Sequence, residues 1–201
     1  MSFELTRELV KTILRSPYDL KWSVQGLGML RTYLDDKQRY RLHIWDSSLR
    51  VPNVSPIHDH PWHLDSLIVA GVLKQIRYHI AGITSAVYYG SGYSLPPEIF
   101  QMSAIKCGEG ACTKTDPIKV KAYNRGLEIY GPGERYQQTK DEVHESMAED
   151  GTVTIVNRTF EGDRDTARVF WRGEGGWVDA TPRRAEQYEI SSVVERALRN
   201  F

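Results

Sequence analysis

Apolar residues return at every second position in stretch after stretch of this chain, and that period commits most of its length to strands. In RYRLHIWD (39–46), Tyr40, Leu42 and Ile44 alternate with Arg41, His43 and Trp45. Successive side chains of an extended chain leave on opposite faces, so a segment of this kind offers one face to a core. LIVAGVLKQIRYHI (67–80) starts as a buried run and then alternates Leu73, Gln75, Arg77 and His79 against Lys74, Ile76, Tyr78 and Ile80. IKVKAYNRG (118–126), GLEIYG (126–131), TVTIVNRTF (152–160) and RVFW (168–171) follow. Short strands punctuated by glycine, proline and asparagine predict an all-β core, a sandwich or a barrel. Residues 81–116, with GSGYSLPPE among them, read as an elaborated hairpin region outside that core.

Helical spacing occurs at the two ends only. Phe3, Leu5, Leu9, Val10, Ile13 and Leu14 predict a helix over 3–15, stopped by Pro17. Ser192 with Glu195 forms a capping-box pattern, and Val194, Ala197, Leu198 and Phe201 make one stripe, which predicts a helix over 191–201. No repeat or domain boundary interrupts the 201 residues, so the expectation is one domain with its core over about 22–180.

Lys plus Arg and Asp plus Glu each number 26, so the chain lacks the basic excess of a nucleic-acid binder. Charges interrupt the N-terminal MSFELTRELVKTILRS, and no apolar run reaches membrane-spanning length. Of cysteines there are two, in CGEGAC (107–112). Cys107 and Cys112 read as free thiols near a glycine-rich turn, with a disulfide or redox pair as the sharper alternative, and their spacing is not that of a C-x-x-C motif. These features together predict a cytoplasmic protein with no membrane or nucleic-acid partner.

Chemistry concentrates in PIHDHPWHLDSLIVAG (56–71). On an extended strand His58 and His60 point the same way, their Cα atoms about 6.6 Å apart at a rise of about 3.3 Å per residue. Two such imidazoles can converge on one ion with bonds of about 2.1 Å. Asp59 points the opposite way, and so does His63 unless Pro61 breaks the parity. His63, His43 and His79 read as rim, structural or solvent-facing residues, and Trp62 as a pocket wall or a rim aromatic.

The pattern H-D-H, four residues, an acid, an apolar strand and glycine resembles the first motif of the cupin superfamily, with Asp65 at the position of its glutamate and Gly71 closing the strand. SPIHDHPWH also resembles the cysteine dioxygenase-like, or thiol dioxygenase, branch of that superfamily. The stretch from GPGERYQQ to VHES resembles the second cupin motif, in which a proline-glycine turn precedes a histidine, here His144. The likeness spans roughly residues 38–160. It implies a cupin-type double-stranded β-helix, a jelly-roll barrel, flanked here by the N- and C-terminal helices. It also implies a divalent metal held by His58, His60 and His144, with Asp65 as an optional fourth ligand or an orienting partner. Fe(II) is the leading ion, and Zn, Mn and Ni are alternatives, because such ligands select poorly among divalent metals.

Two features of the thiol branch, a cysteine soon after H-x-H and a tyrosine on the strand after the last histidine, have no counterpart in PWHLDS and VTIVNRTF. The resemblance therefore carries the metal centre further than it carries a thiol substrate. The function it implies is a non-haem Fe(II) oxygenase acting on a small organic molecule. A Zn- or Mn-dependent isomerase or hydrolase, and a non-catalytic ligand-binding cupin, are the alternatives. Tyr130 and Tyr136, flanking the GPGER turn, are candidates for proton donation. Arg77, with Arg31, Arg39, Arg41 and Arg158, is a candidate anchor for a substrate carboxylate. Cupins pair through exposed strand edges, so a homodimer is a further expectation.

Overall fold

The computed structural model describes residues 3–84, 96–107, 112–160, 166–174 and 181–201. In chain order, helix α1 (Phe3–Arg15) and a 3-10 turn (Pro17–Asp19) precede strands β1 (Ser23–Gln25), β2 (Leu27–Tyr33), β3 (Tyr40–Arg50), β4 (Ile57–His58), β5 (His63–Ala70), β6 (Leu73–Gly82), β7 (Glu98–Cys107) and β8 (Cys112–Lys114). Strands β9 (Ile118–Tyr130), β10 (Arg135–Gln138), β11 (Val143–Ala148), β12 (Val153–Thr159), β13 (Ala167–Arg172) and β14 (Arg183–Arg184) come next, and helix α2 (Gln187–Leu198) last. Among the described residues no helix is long and apolar enough to cross a membrane.

The strands form two sheets, ordered β10-β5-β12-β3-β2-β1-β14 and β13-β4-β11-β6-β9-β7-β8. Strand β13 also pairs with β7, which closes β13, β4, β11, β6, β9 and β7 into a ring, an antiparallel β-barrel. From β3 to β6, and again from β10 to β13, the chain passes from one sheet to the other at every strand.

Alternation dictates three apolar compartments. Leu30, Leu42, Ile44, Leu67, Val69 and Val153 on one face of the first sheet pack with Val10 and Leu14 of α1 and Ile190, Val193, Val194 and Ala197 of α2. Each of the six ring strands contributes to a second cluster, with Ile57, Tyr78, Phe100, Val120, Ala122, Val143 and Phe170 filling the ring. On the other face of the first sheet, Met29, Trp45, Leu64, Ile68, Tyr136 and Val156 form a third. The residues that alternate with the ring's filling, among them His58, His144 and Val169, turn out of the ring and face that third cluster across a cavity.

Several expectations change in detail. The run 67–80 is two strands in different sheets, because Gly71 at φ +77° turns the chain between β5 and β6. A Cβ on Gly71 would lie 2.5 Å from Thr152 Oγ1 and 2.7 Å from Thr152 Cα. Thr152 needs that proximity, since its hydroxyl donates to Val72 O (3.0 Å) and accepts from Val72 N (3.1 Å). The segments 118–126 and 126–131 are one strand, β9, whose register against β6 shifts between Ile76 and Tyr78 beside Gly126.

The 81–116 region supplies β7, a member of the ring, so it does not stand wholly outside the barrel. Cys107 and Cys112 are register partners across β7 and β8, whereas residues 85–95 and 108–111 and both cysteine side chains lie outside the described residues. Helix α2 begins earlier than Ser192. Glu189, not Glu195, makes the capping contact, accepting from Glu186 N (2.9 Å) and pairing with Arg183 (2.5 Å). Ser192 sits inside the helix with its hydroxyl donating to Glu189 O. Helix α1 has the expected bounds, although Leu5 and Leu9 lie on its exposed side.

The Gly71 corner gives a stability test. Gly71→Ala combines an unfavourable φ with contact against Thr152 and costs about 2–4 kcal/mol. Gly126→Ala has φ +110° but nothing within 4 Å of its Cβ, so it costs about 1–2 kcal/mol. Urea unfolding of the two variants measures the difference, and equal costs would contradict the corner geometry.

Candidate metal centre

Backbone pairing brings the candidate ligands together. His144 of β11 and His58 of β4 are direct register partners, so their side chains share a face. His60 follows the end of β4, and its ring lies 4.7 Å from that of His58 and 5.1 Å from that of His144. The His58 and His144 rings are 4.5 Å apart. One ring nitrogen from each residue falls within 4.8 Å of the other two, a small side-chain adjustment from bonds of about 2.1 Å.

Hydrogen bonds orient these rings. His58 Nδ1 lies 2.9 Å from Pro56 O and His144 Nδ1 lies 3.3 Å from Glu142 O. A carbonyl only accepts, so a neutral imidazole in either position carries its proton on Nδ1 and leaves Nε2 as a bare donor atom for a cation. Burial holds His58 below the ordinary histidine range and His144 and His60 well below it; at His60 and His144 repulsion from the neighbouring imidazoles adds to the effect. Imidazoles kept neutral in this way have the protonation state a metal requires.

The loop carrying H-D-H is tied down from behind. Asp59 is fully buried and accepts from Arg168 N (2.6 Å) and Arg168 Nε (2.5 Å). It is thereby engaged by Arg168 and lies outside the group of ligand atoms.

The other candidates separate. Asp65, expected as an optional fourth ligand, lies on the opposite face of β5 from Leu64, Ser66 and Ile68 and pairs with Arg135 at 3.5 Å. It is therefore outside the ligand group, which among the described residues consists of His58, His60 and His144. Arg77 is opposite His144 in register, but its guanidinium is held by Glu128 (2.9 Å), Glu142 (2.8 Å) and Gln137 O (3.1 Å) and does not line the cavity. Tyr130 donates to Glu128 at 2.7 Å and is also outside the lining. Tyr136 does line the cavity, and burial pushes its phenol up to about 12. His63 lies near Lys140 N (3.3 Å), His79 packs near Tyr123 (6.1 Å), and Arg39 pairs with Asp35 (3.0 Å).

The cavity has a volume of about 340 Å³ and lies between the first sheet and the outer face of the ring. Leu27, Met29, Trp45, Trp62, Leu64 and Val156 give it apolar walls. Its far wall carries two of the candidate carboxylate anchors. Arg31 and Arg41 line it with His43, which is half-buried there and is held well below the ordinary histidine range by burial and by Arg41, Arg31 and Arg158. Arg41 is pushed down to about 9, by burial first and then by Arg31 and Arg158. Tyr33 sits among these guanidiniums. Burial alone would raise its phenol, but Arg41, Arg31 and Arg158 outweigh that and lower it. The signal for this wall is in RYRLHIWD, where Arg41, His43 and Trp45 share a face; a polar strand face reads as solvent unless a second layer is known to cover it.

The fold and site thus define a class, an antiparallel β-barrel protein with a three-histidine cluster at a cavity between its sheets. No protein-family model matches the chain, and no curated protein sequence matches it either.

Neutral buried imidazoles carry a pH signature. Their folded-state pKa values lie below the unfolded value, so below about pH 6.5 the unfolded chain binds protons that the folded chain refuses. Stability of metal-free protein is therefore full above that pH and falls as pH drops, by about 1.4 kcal/mol per pH unit for each histidine. Urea midpoints between pH 7 and 5 measure the slope, and His60→Gln makes it shallower. A midpoint equally insensitive in both proteins would contradict the buried neutral state.

Proposed function

We propose that the protein is a cupin-type metalloprotein, a non-haem Fe(II) oxygenase acting on a small organic molecule. One observation carries this reading: His58, His60 and His144 bring three neutral imidazoles together in a cavity of about 340 Å³. That volume is within the range of small-molecule sites. The strand orders β10-β5-β12-β3 and β4-β11-β6-β9, with the chain crossing between them, support the double-stranded β-helix in which such centres are built.

His58, His60 and His144 would hold the ion, and the remaining coordination positions would face the cavity. A ferrous ion bound there supplies activation of dioxygen. The chain's own residues do the rest. Pro56 O and Glu142 O fix the orientation of two imidazoles. Trp62, stacked on His60 at 5.0 Å, braces that ring from one side. Met29, Trp45 and Leu64 present an apolar surface that excludes water from the substrate. Tyr136, whose phenol stays protonated at neutral pH, holds a proton at its hydroxyl on the cavity wall.

Protein purified without added metal is expected to carry iron near one ion per chain and to consume oxygen when given its substrate. His144→Ala is expected to lower metal affinity at least about tenfold, with a retained β-sheet circular dichroism spectrum. Stoichiometric zinc or manganese with no oxygen uptake would replace the oxygenase by Lewis-acid chemistry. A metal content independent of His144 would remove the centre altogether.

Anchoring of the H-D-H loop can be tested separately. Asp59→Asn removes the charge facing Arg168 and is expected to weaken metal binding about 10–100-fold. Competition against a chelator of known affinity measures it.

A further inference from the structure

The cavity wall facing the histidines holds more positive charge than one carboxylate group needs. Arg31 of β2 and Arg41 of β3 line it, and Arg158 of β12 stands beside them at the rim. All three guanidiniums lie against Tyr33, at 5.4, 5.2 and 5.5 Å from its ring centre. Arg158 is anchored on Gln38 O through Nε (3.1 Å) and a terminal nitrogen, and Arg41 donates to Tyr33 Oη at 3.2 Å. Among the described residues no carboxylate lies within 4 Å of Arg31, Arg41 or Arg158; Asp35, which contributes to the field at Arg158, is bound to Arg39 and to Tyr40 N. Buried like charges without a counter-ion are unfavourable.

The unmet hydrogen-bonding capacity points the same way. Arg31 Nε, Arg41 Nε, Gln25 Nε2, His43 Nε2 and Trp45 Nε1 are buried without a partner, and all five residues line the cavity. Arginine, tryptophan and amide nitrogens are donors only. Donors left unused, and cations left without a carboxylate among the described residues, call for an occupant that accepts at many lone pairs and brings negative charge.

We infer that Arg31 and Arg41, with Gln25, His43 and Trp45, form a subsite for the dianionic head of an organic phosphate or phosphonate that occupies the same cavity as the three histidines. A carboxylate is planar, carries one charge on two oxygens and is matched in geometry by one bidentate guanidinium. A tetrahedral dianion offers three charged oxygens and matches two lining arginines. Trp62 links the subsite to the histidines, with His60 stacked at 5.0 Å and Arg41 and Arg158 at 5.1 and 5.0 Å from its ring. A short phosphonate held at Arg31 and Arg41 therefore extends its carbon chain toward the imidazoles. Only that last placement rests on the proposed function; the anion subsite stands without a metal.

Calorimetric titration of the full chain after chelator treatment tests it, with methylphosphonate, inorganic phosphate, acetate and succinate as probes. Methylphosphonate and phosphate are expected to bind at least about tenfold more tightly than acetate or succinate. Arg41→Met, and independently Arg31→Met, is expected to weaken methylphosphonate at least about tenfold. Either variant is also expected to raise the Tm of the ligand-free protein, because it removes one of several like charges; an arginine with a structural role would lower it. Succinate or acetate binding as tightly as methylphosphonate, or affinity unchanged in both variants, overturns the subsite. Since these titrations contain no metal, a failed metal assay on untreated protein leaves their outcome unaffected.

Discussion

The antiparallel pairing of β4 with β11 is the constraint on which the site depends. Strand β4 is two residues long, yet it sits between β11 and β13 and is bonded to both. That position sets His58 opposite His144, although the two lie far apart in the chain. It also leaves Ile57 pointing into the ring, where it packs fully buried with Phe100 and Phe170. Since strand side chains alternate strictly, the burial of Ile57 and the exposure of His58 to the cavity are one fact. A one-residue slip of β4 would put isoleucine at the centre and histidine in an apolar interior, so packing of the ring enforces the register of the ligands.

Charge burial is the counterweight to this order. The first sheet has a helix-covered face with an apolar core, where the buried Asp46 is met by Arg196 of α2, and a cavity face that mixes Met29, Trp45 and Val156 with Arg31, Arg41 and His43. The second face costs stability, because its guanidiniums are partly buried with no carboxylate among the described residues to meet them. Such a cost is tolerated where a ligand recovers it. Asp59 shows the contrasting case. Its buried carboxylate has Arg168 as a full partner through two hydrogen bonds, which is the arrangement of a charge with a structural task.

How much of this can be read from the sequence follows the same physics. Period two announces the strands, and the H-D-H pattern with His144 names the three residues that meet, because both signals are local. The sheet in which each strand lies depends on turns, and those are weaker signals. Gly71 sits inside an unbroken apolar run, so 67–80 reads as one strand until Thr152 is seen packed against the glycine. Asp65 is misplaced for a related reason. Its distance from His60 along the chain suits a ligand, but β5 begins at His63, and from there parity sends Asp65 to the face opposite Leu64 and Ser66. The 81–116 region looks like an insertion because its polar, glycine-rich part dominates its composition, while the strand it contributes, β7, has an ordinary alternation.

The sequence offers Arg31, Arg41 and Arg158 as anchors among several, but it does not say which of them meet a cavity. A strand that is apolar on one face and charged on the other has the same sequence whether its charged face meets open water or a cavity. Arg41 and His43 fit both descriptions equally. Only the layer opposite, built from His58, His144 and Val169, decides between them, and that layer comes from segments remote in the chain. The charged face is then no longer a solvation device. It becomes a cost borne by the folded protein, and the identity of what offsets that cost is written in the geometry of its unused donors.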